Sequence, residues 1–165
     1  MTTGPSGGVA ASRLAEERKS WRKDHPFGFV AKPEAAADGS TNMFRWKCSI
    51  PGKEGTLWEG GLFPLTLDFS ADYPAKPPSV YFPRDFYHPN VFTQGHVCLS
   101  IINPEKGWRP SITVKQILLG VQALLSEPNI DDLANVCYEV YKKDRKKYDR
   151  LVREQTQRYA SDKQL

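Results

Sequence analysis

The chain has 165 residues, with 23 Lys/Arg against 19 Asp/Glu and a net charge of +4. That length fits one domain able to bury about two thirds of its unfolded surface, and no apolar stretch approaches a membrane span. Three cysteines with no CxxC pair argue against a disulfide framework or a zinc site and point to a reducing compartment.

The charge is unevenly placed. Residues 10–25 carry +2 and residues 142–165 carry +5, which leaves −3 for the middle. Both basic ends have helical patterns with interleaved acids. They read as solvated helix faces or as contacts for an acidic protein partner, not as a nucleic-acid stripe.

The opening MTTGPSGGVAAS lacks the basic-then-apolar order of a secretory signal, so residues 1–9 are expected to form a flexible tail. SRLAEERKSWRK puts Leu14 and Trp21 seven apart on one face and predicts an amphipathic helix over residues 12–23, stopped by Asp24-His25-Pro26. FGFVAKP offers a first strand. In MFRWKCSI, Phe44, Trp46, Cys48 and Ile50 share the inward face, which makes Cys48 a core residue. LFPLTLDF turns Phe63, Leu65, Leu67 and Phe69 inward, and its outward Pro64 suggests an exposed edge. SVYF is a short fourth strand. Four strands separated by Gly- and Pro-containing turns predict an antiparallel meander.

From Pro83 to Pro110 the periodicity disappears. A stretch of that length inside a compact domain is commonly functional. Thr113 and Gln116 then form a capping box for a helix burying Ile117, Val121, Leu124 and Leu125, ended by Glu127-Pro128-Asn129. A further helix is expected from Ala134 to Tyr141. A last one runs from an Asp144 N-cap to Tyr159, burying Tyr148, Leu151 and Val152.

HPNVFTQGHVCLSI places Cys98 within the aperiodic stretch, eight residues after a His-Pro-Asn turn. Taken alone, Cys98 is either a small core residue or a nucleophile. His96 two residues away invites a Cys-His protease reading, but no other protease signal accompanies it.

That element order, with HPNVFTQGHVCLSI followed by GWRPSITVKQILLGVQALLSEPN, resembles the ubiquitin-conjugating enzyme family over about residues 10–160. The resemblance implies the α+β UBC fold, with an N-terminal helix and a four-stranded antiparallel meander sheet. A long active-site loop, a central helix and two C-terminal helices follow, and residues 161–165 are a tail. Within the family, RLAEERKSWRKDHPFGFVAKP and the glycine-rich IPGKEGTLWEGGLFPLTLDF most resemble the SUMO-conjugating branch.

By that resemblance, Cys98 takes SUMO from an activating enzyme as a thioester and passes it to a substrate lysine. Asn90 supplies or orders the donor for the developing oxyanion, and His88 braces the loop. Asp132 orients the lysine, with Asp131 the substitute if the alignment slips by one. Tyr81, Phe92, Gln94 and His96 would line the lysine pocket. Arg18, Arg22 and His25 match a noncovalent SUMO face, and Arg13 and Lys19 match an activating-enzyme contact. Expected partners are SUMO, its activating enzyme, SUMO ligases and substrate proteins. A monomer in nucleus and cytoplasm is expected, with no membrane or nucleic-acid binding, no metal and no stably bound cofactor, ATP being consumed upstream. The rival readings are ubiquitin conjugation on the same fold and a non-catalytic UBC-like binding module.

Several positions depart from the family pattern. Phe92 stands where a tyrosine is usual, Gln94 and His96 where small residues are usual, and Leu133 replaces a proline. Ser79 and Tyr81 stand where the SUMO branch usually carries two lysines that attract the acid of a ψ-Lys-x-Glu motif.

Overall fold

The computed structural model describes residues 8–131 and 137–160. Helix α1 (Val9–Lys23) precedes strands β1 (Val30–Ala35), β2 (Thr41–Pro51), β3 (Leu62–Asp68) and β4 (Ser79–Tyr81). A single 3₁₀ turn at Ser100–Ile102 follows, then α2 (Val114–Ser126), α3 (Cys137–Lys143) and α4 (Arg145–Arg158). The strands form one antiparallel sheet in the order β1-β2-β3-β4. This is the expected meander.

The period-two pattern of β2 and β3 sets the core. Trp46, Cys48 and Ile50 are buried opposite Leu67, Leu65 and Phe63, their cross-strand partners. Helix α1 closes one end through Leu14 and Trp21. It begins at Val9, three residues before the predicted start, with Ala10 buried. The predicted stripe of α2 is buried as expected, and the Thr113–Gln116 capping box is present. Asp144 caps α4 by accepting the Lys147 N–H. Of the residues assigned to the third helix, 134–136 lie outside the described residues, and α3 continues past Tyr141 to Lys143.

Two readings change. Strand β3 is internal, between β2 and β4, so Pro64 does not mark a sheet edge. The pattern was half right for a physical reason: β4 pairs only with Thr66–Asp68, so Pro64 lies beyond its reach and its missing N–H disrupts no β3–β4 bond. Second, the aperiodic stretch is not a plain loop. Residues 90–98 fold back as a small hairpin that adds to the free side of β4.

Candidate active site

The hairpin places the cysteine. Cys98 N–H donates to the Asn90 carbonyl at 2.8 Å, and Phe92 N–H donates to the His96 carbonyl at 2.9 Å. Val91 and Val97 pair between them. The turn closes at Gly95, whose φ of +106° suits glycine and whose Cβ, if present, would stand 2.0 Å from the Phe82 carbonyl oxygen. The second arm docks on β4 through a Tyr81–His96 bridge and a Val97 N–H to Val80 carbonyl bond of 3.0 Å.

Alternation then sorts the side chains. Val80, Phe82, Val91 and Val97 are buried inward, so Tyr81, His96 and Phe92 lie on the outer sheet face, and Cys98 follows His96 by two residues onto that face. The Cys98 thiol is half-buried, whereas Cys48 and Cys137 are buried. Burial pushes the Cys48 thiol up to about 12 and the Cys137 thiol up to about 11, which keeps both protonated and inert at neutral pH.

Asn90 is fully buried. Its amide nitrogen donates to the Asn129 carbonyl at 2.7 Å, and its amide oxygen accepts the Asn129 N–H at 2.8 Å. Asn90 therefore clamps the segment that follows α2 against the cysteine hairpin. Asp131 sits on that segment, exposed, its N–H donating to Asn129 Oδ1 at 3.0 Å. Asp132 and Leu133 lie outside the described residues.

His88 braces the same corner. Its Nδ1 accepts the Asn90 N–H at 3.0 Å, and Nε2 lies 2.8 Å from the Leu124 carbonyl and 3.2 Å from that of Leu125. Those contacts require the Nε2–H tautomer. Complete burial lowers its pKa to about 4, so the ring is neutral at pH 7.

Three supports left no trace in the sequence pattern. Trp58 of the glycine-rich β2–β3 loop packs 5.8 Å from the His88 ring. Gln155 of α4, buried, accepts the Tyr87 N–H at 2.7 Å and donates to the Tyr87 carbonyl at 3.0 Å. Asn129 completes the clamp on Asn90. The His-Pro-Asn corner is thus held by paired backbone bonds from two side-chain amides, one before it and one at its end.

At the rim, Phe92 is 42% exposed and Gln94 and His96 are exposed. Tyr81 stacks obliquely on His96 with ring centroids 5.3 Å apart. The Tyr81 hydroxyl donates to Asp68 at 2.6 Å and accepts from Arg45 at 3.0 Å. Exposed Lys76 lies 3.6 Å from Asp72.

On α1, Lys19 and Arg22 are exposed, and Arg18 reaches the Met43 sulfur at 3.8 Å. His25 stacks on Trp21 at 5.0 Å and bonds its carbonyl through Nδ1 at 2.9 Å. Arg13 differs from these. It donates to the Pro110 and Ile112 carbonyls at 2.6 and 3.1 Å and to Glu17 at 3.0 Å. Buried Glu17 in turn accepts the Val114 N–H at 2.9 Å. Arg13 is a tether between α1 and the start of α2.

The model for the family described as ubiquitin-conjugating enzyme matches residues 13–156. The chain belongs to that family. It is 57% identical over 157 residues to the SUMO-conjugating enzyme SCE1 of Arabidopsis thaliana, covering 94% of this chain and 98% of the relative. It is 49% identical over 156 residues to the SUMO-conjugating enzyme UBC9 of Caenorhabditis elegans, covering 94% of each. Over 153 residues it is 49% identical to the Sumo-conjugating enzyme ubc9 of Dictyostelium discoideum, covering 92% of this chain and 96% of the relative.

Proposed function

We propose that this chain carries SUMO as a thioester on Cys98 and transfers it to substrate lysines. The carrying observation is the Cys98–Asn90 hairpin, in a chain 57% identical over nearly full length to a SUMO-conjugating enzyme. In the first step the Cys98 thiolate attacks the thioester carbonyl on an activating enzyme and expels that enzyme's thiolate. Thiolates exchange in this way without a general base.

In the second step a neutral lysine amine attacks the Cys98 thioester, the Cys98 thiolate leaves, and the amine proton passes to solvent. Negative charge builds on the carbonyl oxygen meanwhile, and a positioned donor is worth on the order of 3 kcal/mol. Asn90, locked to Asn129, orders the segment that lies beside this reaction. At pH 7 only about one unperturbed lysine in a few thousand is neutral, so burial of its stem on Phe92 and positioning by Asp132 are the levers left to the protein. SUMO, its activating enzyme, ligases and substrates are the partners, in nucleus and cytoplasm.

The test is a gel of the chain with ATP and either the SUMO or the ubiquitin activating enzyme, each with its own modifier. A reductant-sensitive adduct forms with SUMO and much less with ubiquitin. Equal charging by both would overturn the SUMO assignment.

A further inference from the structure

A groove of about 680 Å³ lies away from Cys98, between the glycine-rich loop and α4. Among the described residues, one wall is Gly55 to Glu59, the end nearest α2 is Leu125, Ser126 and Pro128, and the other wall is α4. From α4 come Arg145, Asp149 and Arg153, spaced i, i+4, i+8, so they share one helix face. Arg145 lies over the Tyr141 ring at 3.7 Å and bonds the Tyr141 carbonyl. Both arginines are exposed, and neither forms an ion pair among the described residues. Tyr148 also lines the groove, its hydroxyl buried with no hydrogen-bond partner.

We infer that this groove is a docking site for an acidic peptide segment in extended form, with acids four residues apart. The charge order along α4 is positive, negative, positive. Eight helical residues span about 12 Å, and four residues of extended chain span about 13 Å. In such a chain residues i, i+2 and i+4 face the same way, so two acids can meet Arg145 and Arg153 while the residue between them meets Asp149. A nucleic-acid backbone fits less well, because its evenly spaced phosphates would face Asp149 and Glu59 as well as the arginines. The groove reaches the active-site supports from behind. Trp58 touches His88, and Pro128 precedes the residue that clamps Asn90.

The test uses the full chain, ¹⁵N-labelled, and two blocked peptides of equal composition, Asp-Ser-Lys-Ser-Asp and Ser-Asp-Lys-Asp-Ser, at low salt. The first should bind several-fold more tightly, shifting amides of residues 55–59 and 145–157. Replacing both arginines (Arg145→Ala with Arg153→Ala) should weaken it about ten-fold, while Arg150→Ala changes it less than two-fold. The charge-reversed pair, Arg145→Glu with Arg153→Glu, should instead favour Lys-Ser-Lys-Ser-Lys, whose middle lysine still meets Asp149. Equal affinity for the two acidic peptides, indifference to the double alanine variant, or stronger binding of an oligothymidylate of matched charge would each overturn the proposal.

Discussion

Asn90 and Asn129, 39 residues apart, hold each other through a closed pair of hydrogen bonds, 2.7 Å from the Asn90 amide to the Asn129 carbonyl and 2.8 Å back from the Asn129 N–H. One partner sits at the base of the cysteine hairpin. The other begins the segment that carries Asp131 and Asp132. The cysteine hairpin and the segment through Asp131 are therefore registered by a single side-chain amide.

Asn90→Ala should leave thioester formation nearly normal, since exchange between thiolates asks nothing of that segment. Single-turnover transfer to a peptide lysine should fall about 100-fold, the equivalent of on the order of 3 kcal/mol. Asn90→Asp keeps an acceptor for the Asn129 N–H but sets a carboxylate against the Asn129 carbonyl, so it should not rescue. Separate assays of charging and discharge check this, and equal loss in both would place Asn90 in the fold alone.

Asp132→Ala should likewise slow discharge and spare charging, whereas Asp131→Ala, at an exposed position whose backbone is already held by Asn129, should change discharge little. A larger effect at Asp131 would shift the lysine-orienting role by one residue.

His88 predicts a pH dependence of stability. Its folded-state pKa, about 4, lies below the unfolded value of 6.5. The unfolded chain therefore binds more protons between those values, and the neutral ring's contribution, complete above pH 6.5, is lost as pH falls toward 4. The shift corresponds to on the order of 3 kcal/mol. Urea unfolding at pH 7, 5.5 and 4.5 should show stability falling, with a visibly shallower slope in His88→Gln.

Much of the fold could be read from periodicity. Phe63, Leu65 and Leu67 alternate, the α2 stripe recurs at helical spacing, and Thr113 and Asp144 announce helix starts. The site was legible only by likeness. The hairpin of residues 90–98 has too few residues to show a period, and its one local signal is Gly95 at a turn. The clamps from Asn90 and Gln155 bond backbone groups 39 and 68 residues away, and such bonds leave no spacing to detect. Glu17 shows the same limit. It looks like one more charge on a solvated helix, yet it is buried against the α2 N-terminus.

Arg13 separates structure from recognition. Arg13→Ala removes two bonds to backbone carbonyls and the Glu17 pair, and should cost about 2 kcal/mol of stability. Lys19→Ala and Arg22→Ala, at exposed positions, should stay within about 0.5 kcal/mol. If charging by the activating enzyme weakens in Lys19→Ala while Arg13→Lys is normal, α1 recognises that partner through Lys19. Denaturant midpoints measured beside charging rates distinguish the two roles.

The last prediction concerns substrate choice. Reading a glutamate two residues after the target lysine needs positive charge at the rim, and this chain has Ser79 and Tyr81 there. The Tyr81 hydroxyl is already donated to Asp68, and Arg45 stands among Tyr81, Asp68 and Glu34, 3.6 Å from Asp68 and 3.7 Å from Glu34. Within that bonded cluster one cation stands against two carboxylates, so its charge is already spent, while Lys47, bonded to Thr66 at 3.3 Å, and Lys32 stand farther along the same face. Exposed charge contacts are worth about 0.2–1 kcal/mol each, which makes the loss of two a several-fold effect. Phe92, still exposed at the rim, keeps apolar area for the lysine stem. Transfer to ψ-Lys-x-Glu and ψ-Lys-x-Gln peptides at pH 8 should therefore differ by less than about three-fold, and Tyr81→Lys with Ser79→Lys should raise that ratio several-fold. A strong glutamate preference at pH 8 in the unmodified chain would show that another cation faces the substrate acid, and the rim would have to be redrawn around it.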